Sequence, residues 1–268
     1  MHWHSHVGIL RSLVIYWRPG RQPALRRLYR PFLPETALVF DIGAHLGDRT
    51  RAFSSLGARV VALEPQPALF RWLHRLVGAR PGVILRREAV GREAGAATIA
   101  ISRRTPTVST LSQDWVKGLA KRNASFADVS WDEALRVPVV TLDQLIAEHG
   151  VPDFCKIDVE GFEAEVLTGL SQPIAALSFE FVRGSLGVAT ESVRCLQALG
   201  SYEFNAIPGE QRRYLFSQWR SGGEMLAWLE AGADELASGD IYARLLAPHE
   251  PEGPLARADG RKAHDGSP

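Results

Sequence analysis

From residue 37 onward two hydrophobic patterns alternate along the chain, and that alternation limits the fold more than any other feature. Short continuous apolar runs at 37–41, 59–64, 83–86, 154–157 and 176–182 suit strands buried on both faces. Between them, residues 48–56, 67–77, 142–149, 160–170 and 191–199 repeat at helical spacing. Residues 96–101 alternate with period two, 137–140 and 202–207 read as further strands, and 213–216 and 241–246 are shorter candidates. Parallel strands are joined through crossovers, so β–α alternation of this kind predicts an α/β fold: a mostly parallel sheet with helices on both faces.

The flanks differ from this body. Residues 1–34 carry Arg11, Arg18, Arg21, Arg26, Arg27 and Arg30, with no acid before Glu35. Val7, Leu10, Val14 and Trp17 recur there at helical spacing, which predicts a helix packed on the edge of the domain. The sharper alternative is a basic interfacial helix making a peripheral membrane contact with anionic lipid. The alternating His2, His4 and His6 suggest a metal only weakly at a terminus that frays. Residues 102–130 lose periodicity, are rich in Ser and Thr and contain Trp115, as expected of a flap over an acceptor. The tail from residue 248 is rich in Pro, Gly and charge and is expected to be disordered. The expected division is therefore an extension at 1–34, a catalytic domain at 35–247 and a tail at 248–268.

Composition excludes several classes. A net charge of +1 gives no general attraction to nucleic acid. No apolar run reaches the roughly 18 residues that span a bilayer. The run at 7–17 is broken by Arg11 and followed by Arg18-Pro19-Gly20-Arg21, unlike a signal-peptide cleavage site. Only Cys155 and Cys195 occur, among apolar neighbours, which fits core packing in a reducing, cytoplasmic setting.

The chemistry is concentrated where the runs end. Open α/β sheets bind ligands outside the carboxyl ends of their strands. At the first such end stands Asp41-x-Gly43-x-x-x-Gly47, where Gly43 permits a tight turn and Gly47 a close approach. It is not the G-x-G-x-x-G fingerprint of dinucleotide sites. Glu64 ends the second strand and suits two ribose hydroxyls; Pro65 and Gln66 follow. Glu88-Ala89-Val90-Gly91 offers a rim for an adenine ring. Asp158, Glu160 and Glu163 crowd the fourth end beside Lys156. So many carboxylates oppose a pyrophosphate and welcome a cation. A nucleoside bearing positive charge fits best, and S-adenosylmethionine is that molecule.

Several segments resemble the FkbM-type S-adenosylmethionine-dependent methyltransferases. They are Phe40-Asp41-Ile42-Gly43-Ala44-His45-Leu46-Gly47, Leu63-Glu64-Pro65, Ser109-Thr110-Leu111, Val140-Thr141-Leu142-Asp143 and Lys156-Ile157-Asp158-Val159-Glu160-Gly161-Phe162-Glu163. A fainter echo lies in Gly239-Asp240-Ile241-Tyr242. The resemblance implies a Rossmann-like class I methyltransferase with a mostly parallel seven-stranded sheet. It also implies methylation of a hydroxyl on a sugar, glycan or secondary metabolite. His45 departs from the pattern, since such proteins often carry Asn there. The expected cofactor site is Asp41, Gly43, His45, Gly47, Glu64, Pro65, Glu88, Ala89 and Asp158. The expected general base is Asp158 or Glu160, with His45 and Glu180 as further candidates, and no metal is assigned. Two rivals remain on the sequence alone. One is a nicotinamide oxidoreductase, favoured by Glu64 but opposed by Asp41 and the missing third glycine. The other is a non-catalytic module of a glycan or lipid assembly, suggested by the arginine-rich start.

Overall fold

Strand β1 (Leu38–Ile42) is buried at every position and pairs in parallel with β2 (Arg59–Leu63) on one side and β7 (Phe154–Ile157) on the other. The sheet extends in parallel to β3 (Val83–Arg86) beyond β2 and to β8 (Ala176–Val182) beyond β7. Strand β11 (Ser238–Leu245) inserts antiparallel between β8 and β9 (Tyr202–Pro208), and the two-residue β10 (Arg220–Ser221) closes that edge. The order is β3-β2-β1-β7-β8-β11-β9-β10. The sheet therefore has eight strands rather than the seven expected, the eighth being the two-residue β10 at its rim. This computed structural model describes residues 9, 12–102, 110–112 and 133–246. Most of the expected flap, His2, His4 and His6, Arg11, Trp115 and the tail from residue 248 lie outside the described residues.

The pleat of β1 shows why both faces are covered. Phe40 and Ile42 join one apolar cluster; Val39 joins another on the opposite side. The first is completed by α4 (Leu142–His149), α5 (Glu163–Leu167), α6 (Leu186–Leu199) and α7 (Gly222–Glu230). The second takes α1 (Arg21–Tyr29), α2 (Asp48–Ser55) and α3 (Pro67–Val77). A small second sheet, β4 (Ala89–Val90), β6 (Glu133–Val140) and β5 (Gly95–Ile101), leans over the C-terminal ends of the main strands.

The segment Val140-Thr141-Leu142-Asp143 acts as a helix start. Thr141 Oγ1 accepts the Gln144 N–H and Gln144 Oε1 accepts the Thr141 N–H, both at 3.1 Å, a complete capping box. Asp143 Oδ1 accepts the Ser171 N–H at 2.9 Å, which ties α4 to the loop after α5.

Some expected boundaries are corrected. The helix expected over 160–170 is only α5, because Glu163 bends its carboxylate back onto the Val159 and Gly161 N–H groups and holds 158–161 as a turn. Glu160 sits in that turn at φ 54°, so it and Glu163 do not share a helical face. Helix α6 begins five residues before the expected 191, at Leu186. Residues 213–216 form no strand, α7 was not legible, and β6 starts at Glu133 rather than 137.

At the start of the chain, residues 12–16 are helical and lead into α1. The packed stripe is Ile9, Leu13 and Trp17, and Val14, expected on that face, points outward at 74% exposure; Val7 and Leu10 lie outside the described residues. Leu25 and Tyr29 are fully part of the second core, and Arg21 is buried. No helix among the described residues is long and apolar enough to cross a membrane. Both cysteines are free; Cys155 is buried and Cys195 half-buried.

Candidate active site

A cleft of about 810 Å³, including its open mouth, lies at the C-terminal ends of β1, β2 and β7. Its floor is the turn after β1. Gly43 has φ 76°, and a Cβ there would stand 1.9 Å from the Asp158 carbonyl oxygen, so only glycine allows β1 and β7 to end this close together. The wall opposite is apolar, formed by Ala89, Val90, Ile99 and Leu111.

Glu64 has the chemistry a ribose requires. It is buried at the end of β2, where Oε2 accepts the His45 N–H at 3.1 Å and Oε1 accepts the Gln66 N–H at 2.9 Å. Each oxygen keeps capacity for a further hydrogen bond, and Glu64 lines the cleft, enough for a pair of vicinal hydroxyls. Burial raises its carboxyl to about 7, against the pull of those two N–H groups.

Lys156 organises the floor. Its Nζ lies 2.9 Å from Asp158 Oδ2 and 3.8 Å from Asp41 Oδ1, and it donates to the Gly43 carbonyl at 3.2 Å. Asp41 is fully buried and also accepts the Thr50 hydroxyl at 2.5 Å, so it braces the turn from below and does not line the cleft. Burial works against the charged form of Asp158, but Lys156 and Arg49 prevail and hold its carboxyl below the usual range.

Next along the strand ends, Asp158, Glu160 and Glu180 bring one carboxylate oxygen each to within 4.8 Å of one another. Burial, and then the neighbouring carboxylates, push both Glu160 and Glu180 well above the ordinary range. Glu180 Oε2 is buried without a hydrogen-bond partner. His45 is the opposite case: burial lowers its imidazole to about 4, so the ring is neutral at physiological pH, with Nε2 unbonded.

Of the residues expected from sequence, Gly43, His45, Glu64, Pro65, Glu88, Ala89, Asp158 and Glu160 meet around the cleft. Glu88 is also held by Arg86 at 2.5 Å. Asp41 and Gly47 do not line it. Gly47 instead receives α3, since a Cβ there would meet Leu73 at 2.7 Å. Glu163 is buried behind the turn it clamps. Sequence reasoning missed Tyr16 and Arg49. Tyr16 comes from the helical segment before α1 and sets its ring edge-on to His45, with centroids 5.3 Å apart. Arg21 stacks on the same Tyr16 ring at 4.9 Å and bonds Asp48 at 2.7 Å. Trp17 Nε1 donates to the Leu46 carbonyl at 3.2 Å, fastening this segment to the cofactor turn. An aromatic pair at the head of an arginine-rich stretch gives no sequence signal for such a role.

The strand-end carboxylates and the diol-ready Glu64 at the rim suit the sulfonium and the ribose of S-adenosylmethionine. Hexuronic acid methyltransferase AglP of Haloferax volcanii is 26% identical over 191 residues, 69% of this chain and 72% of that one. Among solved structures, a TehB-like SAM-dependent methyltransferase from Corynebacterium glutamicum aligns over 91% of this chain and 98% of its own, at 12% identity and a TM-score of 0.47. An O-methyltransferase from Bacillus cereus in complex with SAH aligns over 92% of each chain, at 13% identity and a TM-score of 0.43. Residues 41–235 match the methyltransferase FkbM domain, which takes in every strand from the cofactor turn to β10, and the chain therefore belongs to the FkbM family of S-adenosylmethionine-dependent methyltransferases.

Proposed function

We propose that the protein methylates a hydroxyl group of a sugar or glycan, with Glu160 as general base. The observation that carries this reading is the group of three carboxylates beside the cofactor cleft, of which, among the described residues, Asp158 alone is paired with a cation. The cofactor supplies an activated methyl group on a sulfonium. An alcohol acceptor must lose its proton as the new bond forms, and a positioned base contributes about 10²–10⁴-fold. Asp158 is bound to Lys156 and kept acidic, so its part is to hold charge near the donor. Glu160 sits at the cleft with no cation against it among the described residues; the sulfonium of the bound cofactor favours its ionised form, and its raised proton affinity then makes it the stronger base. His45, held near 4, is the weaker base of the two candidates. Gly43, Glu64, Pro65, Glu88 and Ala89 are proposed to bind the cofactor, with His45 setting the turn and Asp41 and Gly47 supporting from outside the cleft. The likeness to a hexuronic acid methyltransferase supports a sugar acceptor.

Transfer of an isotopically labelled methyl group to a panel of free and glycosylated sugars is the test, with the product located by NMR. A methyl ether is expected. Glu160→Gln should lower kcat by about 10²-fold or more, with cofactor affinity unchanged. Methylation on nitrogen or carbon, or a fully active Glu160→Gln, would remove this assignment.

A further inference from the structure

The cleft contains a guanidinium whose hydrogen-bonding capacity is unused. Arg49 is the second residue of α2, immediately after the cofactor turn, and it lines the cleft with its side chain 13% exposed. Arginine carries five N–H donors and stays charged. Among the described residues none of those donors makes a hydrogen bond. The nearest carboxylate oxygens are Asp48 Oδ1 at 3.7 Å and Asp240 Oδ2 at 3.9 Å, close enough to balance charge but too far to bond. Asp48 is already committed elsewhere, since its Oδ2 takes the Arg21 Nε at 2.7 Å. Arg21, by contrast, makes two short bonds, to Asp48 and to Glu210, and does not line the cleft.

Because Arg49 opens onto the cleft, its donors are left to whatever fills that space, water or ligand. Its planar fork matches a carboxylate, which it grips with two parallel bonds. We propose that Arg49 is the carboxylate-binding residue of this cleft, and that a bound ligand supplies the acceptor its protein neighbours withhold. Two ligands of this enzyme can bring that group: the methionyl end of the cofactor, or an acceptor sugar carrying an acid. The second source rests on the sugar reading above.

Calorimetry on the whole chain separates the sources without relying on turnover. The first pair of probes is S-adenosylmethionine against its decarboxylated form. The second, with S-adenosylhomocysteine present, is p-nitrophenyl β-glucuronide against p-nitrophenyl β-glucoside. The wild type is expected to prefer the acidic member of at least one pair by about tenfold or more, and Arg49→Met to erase that preference while leaving the neutral member's affinity in place. Preference in the first pair identifies the cofactor as the source; preference in the second identifies the acceptor. Indifference of the wild type in both pairs overturns the proposal, as does an Arg49→Met protein that still discriminates or that loses all ligands equally. Should Arg49→Met fail to fold, Arg49→Lys keeps the charge without the fork and must discriminate less than the wild type; full discrimination overturns the proposal. If neither sugar binds, the sugar reading fails, and the cofactor pair still decides the role of Arg49.

Discussion

Glu64 is a buried acid whose two accepting oxygens are each half used. Its ordinary value of 4.5 is raised to about 7 in the free protein, and hydroxyl donors together with a nearby sulfonium favour the ionised form. Cofactor binding should therefore release a proton near neutrality. Affinity should fall by up to about tenfold per unit as pH drops below 7, and Glu64→Gln should bind weakly with no such slope. Titrations at pH 6.5 in two buffers of different ionisation enthalpy would count the proton; the same heat in both would refute the release. Independently of pH, Glu64→Ala should lose about 2–3 kcal/mol of cofactor binding, the worth of charge-assisted hydrogen bonds. Gly43 carries a different kind of demand. Gly43→Ala would drive a methyl group onto the Asp158 backbone in a left-handed conformation. It should cost about 2 kcal/mol or more of stability, read as an earlier denaturant midpoint.

At the scale of elements, the strand-end acids were legible because a short apolar run closing on a carboxylate locates both the end of a strand and the rim of a site. Glu64, Glu88 and Asp158 were read that way, and all three reach the cleft. Asp41 obeys the same pattern yet faces Lys156 and Thr50, because residues 41 and 42 of a pleated strand point to opposite sides and the pattern does not say which side is wet. The helix after β7 was placed too early because a buried carboxylate turning back on its own loop mimics a helix start in sequence. The segment before α1 was read as a helix on the domain's edge with no part in the site, but Tyr16 lines the cleft and Trp17 fastens the segment to the cofactor turn. Removing residues 1–20 should weaken cofactor binding by about tenfold while Tyr16→Phe, which keeps the ring, changes it little; calorimetry on both forms checks this. The outer side of the same segment bears exposed Val14 and Ile15 and the exposed Arg18, Arg26, Arg27 and Arg30. Basic residues near an anionic leaflet contribute about 1 kcal/mol each, so we propose weak, salt-sensitive attachment to such a surface. Flotation with anionic vesicles at low salt should lift the full chain and leave behind a chain lacking residues 1–34; equal behaviour of the two would dismiss it.

Over the whole molecule, the row of buried acids sets the response to pH. Burial lifts Glu64 and Glu163 from 4.5 to about 7 and Asp240 from 3.8 to about 6. Raised values mean that the folded state holds these protons more tightly than the unfolded chain between about pH 4 and 7. Stability from this source is complete below the unfolded values and is lost as pH rises through 6 and 7. One opposing group acts in the same range: His45, lowered from 6.5 to about 4, gains stability as pH rises to about 6.5, one proton against the two of Glu64 and Glu163, while Asp48, Asp158 and Glu210 are depressed and act only in more acidic solution. Thermal melting of the free protein should therefore decline from pH 5.5 to 8, and cofactor should restore most at the alkaline end. A rising or flat profile would show that the acids are already neutralised by solvent.

The fold itself followed from alternation, whereas the side chains that complete the cleft come from segments with no motif of their own. Arg21 is an instance: through Asp48 it holds the cofactor turn, and through Glu210 it reaches a residue 189 positions later in the chain. A ribosome delivers these partners far apart in time. The turn that receives the nucleoside is made early, but its brace cannot be tightened until the strands around Glu210 have emerged. A nascent chain thus presents the cofactor motif long before it can grip the cofactor, and tight binding becomes a signal that synthesis has passed the sixth helix and the strand behind it.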